Sequence, residues 1–117
     1  DDDEDARLLM RTLLERDGYE VEDAGDGHKA LDILKDDQMY KLVILDLAMP
    51  GMDGREVLRQ IRGSVDTAAL PVLIRTGTGS DLIEAELLEA GADDYVEKSV
   101  DAGRFMARVH AVLRRAL

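Results

Sequence analysis

Cysteine is absent from the 117 residues, and so is tryptophan. Without thiols there is no disulfide framework and no thiolate metal site, and a reducing compartment suits the chain. Three tyrosines and one phenylalanine make an aromatic share of 3%, which leaves too few stacking platforms for a single-strand nucleic-acid groove. Apolar runs stop at four or five residues, far short of the roughly 20 that cross a bilayer. No charged-then-apolar leader is read at the start, so a soluble, cytoplasmic protein is expected. Positive charge is scarce as well: 15 Lys and Arg stand against 26 Asp and Glu, a formal net charge of -11. That surplus repels nucleic-acid phosphates and anionic lipid, so direct contact with nucleic acid or membrane is not expected.

What is present is an alternation of two periodicities. Ala6, Leu9, Met10, Leu13 and Leu14 recur at helical spacing, and Gly18 follows as a stop. Tyr19 to Ala24 has the look of a short strand, after which Asp26 can cap a helix carrying Ala30, Leu31, Ile33 and Leu34. Leu42 to Leu45 is an unbroken apolar run ending at Asp46, as in a strand buried on both faces, and Pro50-Gly51 breaks it. Asp53 with Glu56 resembles a capping box for a helix through Val57, Leu58 and Ile61. Pro71 opens the run Val72 to Ile74, and Ser80 can cap a helix ending at Gly91. A last strand covers Asp94 to Glu97, and Asp101 caps a final helix with Phe105, Val109, Val112, Leu113 and Ala116 on one face.

Strands alternating with helices imply right-handed crossovers and a parallel sheet covered on both sides, in one domain spanning 1–117. The opening is out of pattern, because Asp1 to Asp5 stand first with nothing apolar before them. A sheet lacking an inner strand would strand the backbone groups of two neighbours, so a first strand is expected just upstream of Asp1.

Sites in open parallel sheets form at the carboxyl ends of the strands. There Asp1 and Asp2 would follow the upstream strand, while Asp46, Thr76 and Lys98 end the next three. Three carboxylates, a hydroxyl and an ammonium would thus share one rim. Crowded carboxylates call for a cation, and hard oxygen donors with room for water suit Mg2+. A carboxylate beside that ion and a lysine can act as a nucleophile toward phosphorus. An EF-hand-like calcium loop is excluded because its sixth position is Ala6 and its twelfth Thr12.

The order of these pieces resembles the response-regulator receiver, or CheY-like, family of two-component signalling. The matching text is Asp1-Asp2 with Arg7 beyond it, VILDLAMPGMDG around Asp46, PVLIRTG around Thr76, and GADDYVEK ending at Lys98. The resemblance covers essentially the whole chain. It implies a flavodoxin-like α/β fold with five parallel strands in the order 2-1-3-4-5 and five helices. It also implies Asp46 as phosphoacceptor, Asp2 as a direct metal ligand, Asp1 acting through metal-bound water, and the backbone carbonyl of Ala48 as a further ligand. Thr76 would bond the phosphoryl oxygen and Lys98 would pair with it, while Tyr95 would turn inward as Thr76 moves. The donor implied is a histidine kinase, with an output domain or effector elsewhere. The chain is then not an enzyme beyond slow self-dephosphorylation, since Ala48 and Thr78 stand at the positions that tune hydrolysis.

Three departures stand out. Ser99 replaces the usual proline after the lysine, and a cis bond there would cost roughly 2.5 to 4 kcal/mol. Gly77 and Gly79 replace bulkier residues, and Arg75 stands where an apolar residue is usual. Arg75 either snorkels out at the strand end or reaches the phosphoryl group as a second cation. The face made by the fourth helix, last strand and fifth helix carries Glu84, Glu89, Asp94, Arg104, Arg108 and His110. The resemblance suggests a two-fold homodimer there, pairing Glu84 with Arg104, Asp94 with Arg108 and Glu89 with His110. The alternative function is a pseudo-receiver, a phosphorylation-independent interaction module. A phosphatase reading wants an acid two residues after the nucleophile, where Ala48 stands.

Overall fold

Three of the apolar runs form strands and pair in parallel, as β1 (Val43–Asp46), β2 (Val72–Thr76) and β3 (Asp94–Glu97) in the order β1-β2-β3. The computed structural model describes residues 4–36, 39–46, 54–77, 81–98 and 100–115, without the side chains of 81–84. Five helices complete it: α1 (Glu4–Arg16), α2 (Gly27–Asp36), α3 (Gly54–Gly63), α4 (Asp81–Glu89) and α5 (Ala102–Arg115).

Alternation along β2 divides the core. Val72 and Ile74 join Leu34, Leu45, Val57, Leu58, Ile61, Leu87 and Ala92 on the side of α2, α3 and α4. Leu73 joins Leu14, Val96, Phe105, Val109 and Val112 on the side of α1 and α5. All five residues of β2 are buried, which is what a central strand covered on both faces requires. Local chemistry ends the helices where the sequence indicates. Asp26 accepts the N–H of Lys29 at 2.9 Å and Asp101 that of Arg104 at 2.8 Å, each a side-chain cap on an otherwise unpaired donor. Gly18 (φ +92°) and Gly91 (φ +111°) take the left-handed turn that closes α1 and follows α4. The expected caps Asp53 and Ser80, and Ala116, lie outside the described residues.

Two expectations need correction. Among the described residues the sheet has three strands, and Tyr19–Ala24, expected as a strand, is irregular. That segment is separated from β1 by a cavity of about 460 Å3, whose lining includes Val21, Ile33, Leu42, Ile44 and Leu113. Among the described residues no strand lies in that gap, so the Tyr19–Ala24 backbone has no ladder to join there, and a strand exists only through its neighbours. Leu9, assigned to the core face of α1, is 60% exposed, and Leu8 is 64% exposed. Met10, Leu13 and Leu14 face the core instead. Leu9 sits one step of about 100° from Met10, which turns it to the flank.

Long-range polar clamps fix the elements to one another. Arg62 on α3 donates from Nε to the carbonyl of Gly91 at 2.9 Å and from Nη1 to those of Ala68 and Leu70 at 3.2 and 2.6 Å. Its Nη2 donates to Asp93 Oδ2 at 3.0 Å, and the same oxygen accepts the N–H of Val72 at 2.7 Å. One guanidinium thereby ties α3 and the turn after α4 to the start of β2. The stem of Arg62 also lies so close to Gly91 that a Cβ there would meet Cγ at 2.9 Å. Arg62→Ala should lower the unfolding free energy by about 3 kcal/mol, given ~1.5–3 kcal/mol for a bond to a charged group. Arg62→Lys should recover little of it, because an ammonium cannot span the fork. Urea midpoints at constant slope are the measurement.

Elsewhere, Arg11 holds Asp23 at 2.8 Å and His110 meets Asp17 at 2.7 Å, tying α1 and α5 to the 17–24 segment. On α3, Glu56 accepts hydrogen bonds from Arg59 and Gln60. The Arg59 guanidinium, then Gln60, hold its carboxyl down at about 2.

Candidate phosphoacceptor rim

Among the described residues, the buried polar or charged side chains are Asp46, Arg75 and Thr76, at 1%, 9% and 1% exposure. All three lie at the carboxyl ends of β1 and β2. The register of the parallel ladder brings them there: Asp46 is opposite Arg75, and Thr76 is opposite Glu97. Uncompensated burial of a carboxylate costs several kcal/mol, so such a group needs a partner. Lys98, just beyond β3, supplies it, with Nζ donating to Asp46 Oδ2 at 2.6 Å. Distance and charge make this a strong hydrogen-bonded pair.

The backbone puts Lys98 in position. Its N–H donates to the carbonyl of Thr76 at 2.8 Å, prolonging the β2–β3 ladder by one step. A buried acid, a buried hydroxyl and a half-exposed ammonium from three successive strand ends are thus assembled at one rim. Such a rim can orient a carboxylate and receive added negative charge close to it. It is the arrangement of an open α/β sheet with its site at the strand ends.

Tyr95 is half-buried and packs against the cluster on the α2–α4 side, opposite Ile74 in register. Asp1, Asp2, Ala48, Thr78 and Ser99 lie outside the described residues. Among the described residues no group of three acidic or histidine side chains could hold a metal ion.

The residues expected at a dimer face are placed differently from one another. Asp94 is held within the chain by Arg108 at 3.1 Å and Arg115 at 3.5 Å. Arg104 is exposed and pairs with Asp101 at 3.8 Å. His110 meets Asp17, which places it toward α1 and away from α4. Glu89 is exposed at the end of α4, and the side chain of Glu84 is outside the description. Sequence reasoning missed the Arg62–Asp93 clamp and the His110–Asp17 pair. No local pattern announces contacts between residues 31 and 93 positions apart.

Comparison with known proteins agrees with this architecture. Residues 1–110 match the family described as response regulator receiver domain, and the chain belongs to that family. It is 44% identical over 115 residues to the response regulator MprA of Mycobacterium tuberculosis, covering 98% of this chain and 49% of that protein. It is 41% identical over 117 residues to the transcriptional regulatory protein ResD of Bacillus subtilis, covering 99% of this chain and 47% of that protein. The chain therefore spans about half the length of the curated relatives it matches. Among solved structures, a putative response regulator from Chloroflexus aurantiacus superposes with a TM-score of 0.91 at 31% identity, covering 97% of this chain and 93% of that one. Chemotaxis protein CheY4 of Vibrio cholerae gives 0.89 at 28% identity, covering 96% and 92%. The fold is the CheY-like α/β receiver fold, with five helices and a parallel sheet. Among the described residues no helix is long and apolar enough to cross a membrane.

Proposed function

We propose that this chain is the phosphoacceptor of a two-component response regulator, with Asp46 taking a phosphoryl group from a histidine kinase in the cytoplasm. The observation that carries the reading is the wholly buried Asp46 carboxylate held by Lys98 at 2.6 Å beside the buried Thr76. Lys98 fixes one carboxylate oxygen, and the carboxylate attacks phosphorus. The bond from phosphorus to the donor nitrogen breaks, and the imidazole leaves with its electron pair. Phosphorylation turns the single negative charge of Asp46 into nearly two, which Lys98 and the Thr76 hydroxyl bind by small shifts at their strand ends. The surface of α4, β3 and α5 changes with them, through Tyr95 and the turn before α5.

The buried acid is a hard oxygen donor, and Asp1, Asp2 and the Ala48 carbonyl are of the same chemistry, so the set suits Mg2+. When bound, the ion supplies positive charge to the transferring oxygens. The chain is a phosphoacceptor rather than an enzyme, with slow self-hydrolysis. Identity to two-component regulators supports a kinase partner and an output domain outside this chain.

A five-stranded order 2-1-3-4-5 is part of the same reading. The cavity between Tyr19–Ala24 and the open edge of β1, lined by apolar side chains together with charged ones, supports it, since a strand there would pair on both sides. The homodimer through α4, β3 and α5 would have to exchange the Asp94–Arg108 pair between copies, because one chain already satisfies it. Incubation with acetyl phosphate and Mg2+ tests the acceptor reading: label should appear on Asp46. No label would leave the chain as a phosphorylation-independent interaction module.

A further inference from the structure

A guanidinium is an expensive group to bury, and Arg75 is only 9% exposed, in a strand whose every residue is buried. The sequence leaves open whether this side chain escapes to solvent at the end of β2. The structure answers that it stays in. It stays, moreover, at one place: Arg75 is the register partner of Asp46 on the adjoining strand. Two residues earlier the register partners Ile44 and Leu73 both belong to the core under α1 and α5. Side chains repeat faces every second residue along a strand, so Asp46 and Arg75 project on that same side. Strands lie about 4.8 Å apart, less than the length of an arginine side chain.

Charge points the same way. Lys98 pairs with the Asp46 carboxylate, and Arg75 is the buried cation opposite it on the neighbouring strand. Phosphoryl transfer turns one negative charge on Asp46 into nearly two, and a cation placed opposite is drawn to the added charge. A guanidinium also offers a planar fork that bonds two phosphoryl oxygens at once, which an ammonium cannot do.

We propose that Arg75 is a second phosphoryl-binding cation, gripping the group on Asp46 from β2 while Lys98 holds it from beyond β3. This rests on the phosphoacceptor reading and adds a residue to it. The step transfers no further atoms or protons, since Arg75 stays protonated throughout.

Opposite-sign binding shifts test it. Beryllofluoride stands in for the phosphoryl group, and its affinity at fixed Mg2+ should fall at least ten-fold in Arg75→Met. Affinity for Mg2+ alone should rise in the same variant, because a competing fixed cation has gone. Arg75→Lys, which keeps the charge but not the fork, should restore part of the beryllofluoride affinity and guards against a methionine variant that fails to fold. A merely structural role would weaken both ligands together and would not be rescued by lysine, and that result, like unchanged affinities, overturns the proposal. If wild type and Asp46→Asn both ignore beryllofluoride, the phosphoacceptor reading itself fails and this one with it. A wild-type response lost in Asp46→Asn but unaltered in Arg75→Met removes Arg75 alone.

Discussion

Asp46→Asn should take up no label from acetyl phosphate under conditions where the wild-type chain is labelled, a drop of at least 100-fold. An amide at that position has almost the same shape, so the packing of β1 against β2 is retained. It lacks the carboxylate electron pair that attacks phosphorus, and it gives Lys98 no anion to hold. Stability separates chemistry from folding in this experiment. Removing one half of a buried pair usually costs ~3–5 kcal/mol when it strands the other charge in the interior. Lys98 survives with a side chain 34% exposed that can turn to water, whereas Arg75 opposite Asp46 is only 9% exposed. The variant should therefore lose some stability, short of that range, and stay folded while losing the label. A variant that still takes up the phosphoryl group on another residue would count against Asp46 as the acceptor.

A chain carrying five apolar residues ahead of Asp1 should be more stable by ~2 kcal/mol or more than one carrying five Gly and Ser there. The cavity beside β1 is lined by apolar groups from α1, α2, α5 and the β1 edge, including Met10, Leu34, Val43 and Val109. Each Val, Ile or Leu side chain buried there contributes roughly 1.5–3 kcal/mol, against ~1–2 kcal/mol per residue of backbone ordering. Backbone groups along the edge of β1 and along Tyr19–Ala24 would gain partners as well. The local signature is amide exchange: the N–H of Val21 should slow together with those of β1. Equal stability of the two extensions, with unchanged exchange at Val21, would mean that the cavity is not a strand site.

The elements legible in the sequence are those whose cause is local. Apolar runs marked β1 and β2, acids before helices marked the caps at Asp26 and Asp101, and glycines marked the turns at Gly18 and Gly91. Tyr19–Ala24 was legible only as strand-forming composition, and composition cannot supply the ladder. Leu9 shows the same limit for helices, where a stripe drawn by spacing alone was one residue too wide. Asp46, Thr76 and Lys98 could be gathered on paper because each ends an apolar run, and parallel topology aligns such ends. Arg75 could not be placed from sequence, since whether a long cation at a strand end turns in or out depends on what covers the strand. Asp94 and Arg108 illustrate the converse: their complementary charges suggest a contact between copies, and the helix–strand packing of one chain already brings them within 3.1 Å.

The hydrogen bond from the Lys98 main chain to the Thr76 carbonyl makes a mechanical linkage of two groups that chemistry alone would treat as separate. If the threonine is drawn a fraction of an ångström toward an occupant on Asp46, the lysine's own backbone is pulled along. Four residues further on, α5 begins at Ala102. On the proposed reading the tip of β2 would serve as a hinge pin, and a tug on one hydroxyl would be felt toward the root of a helix.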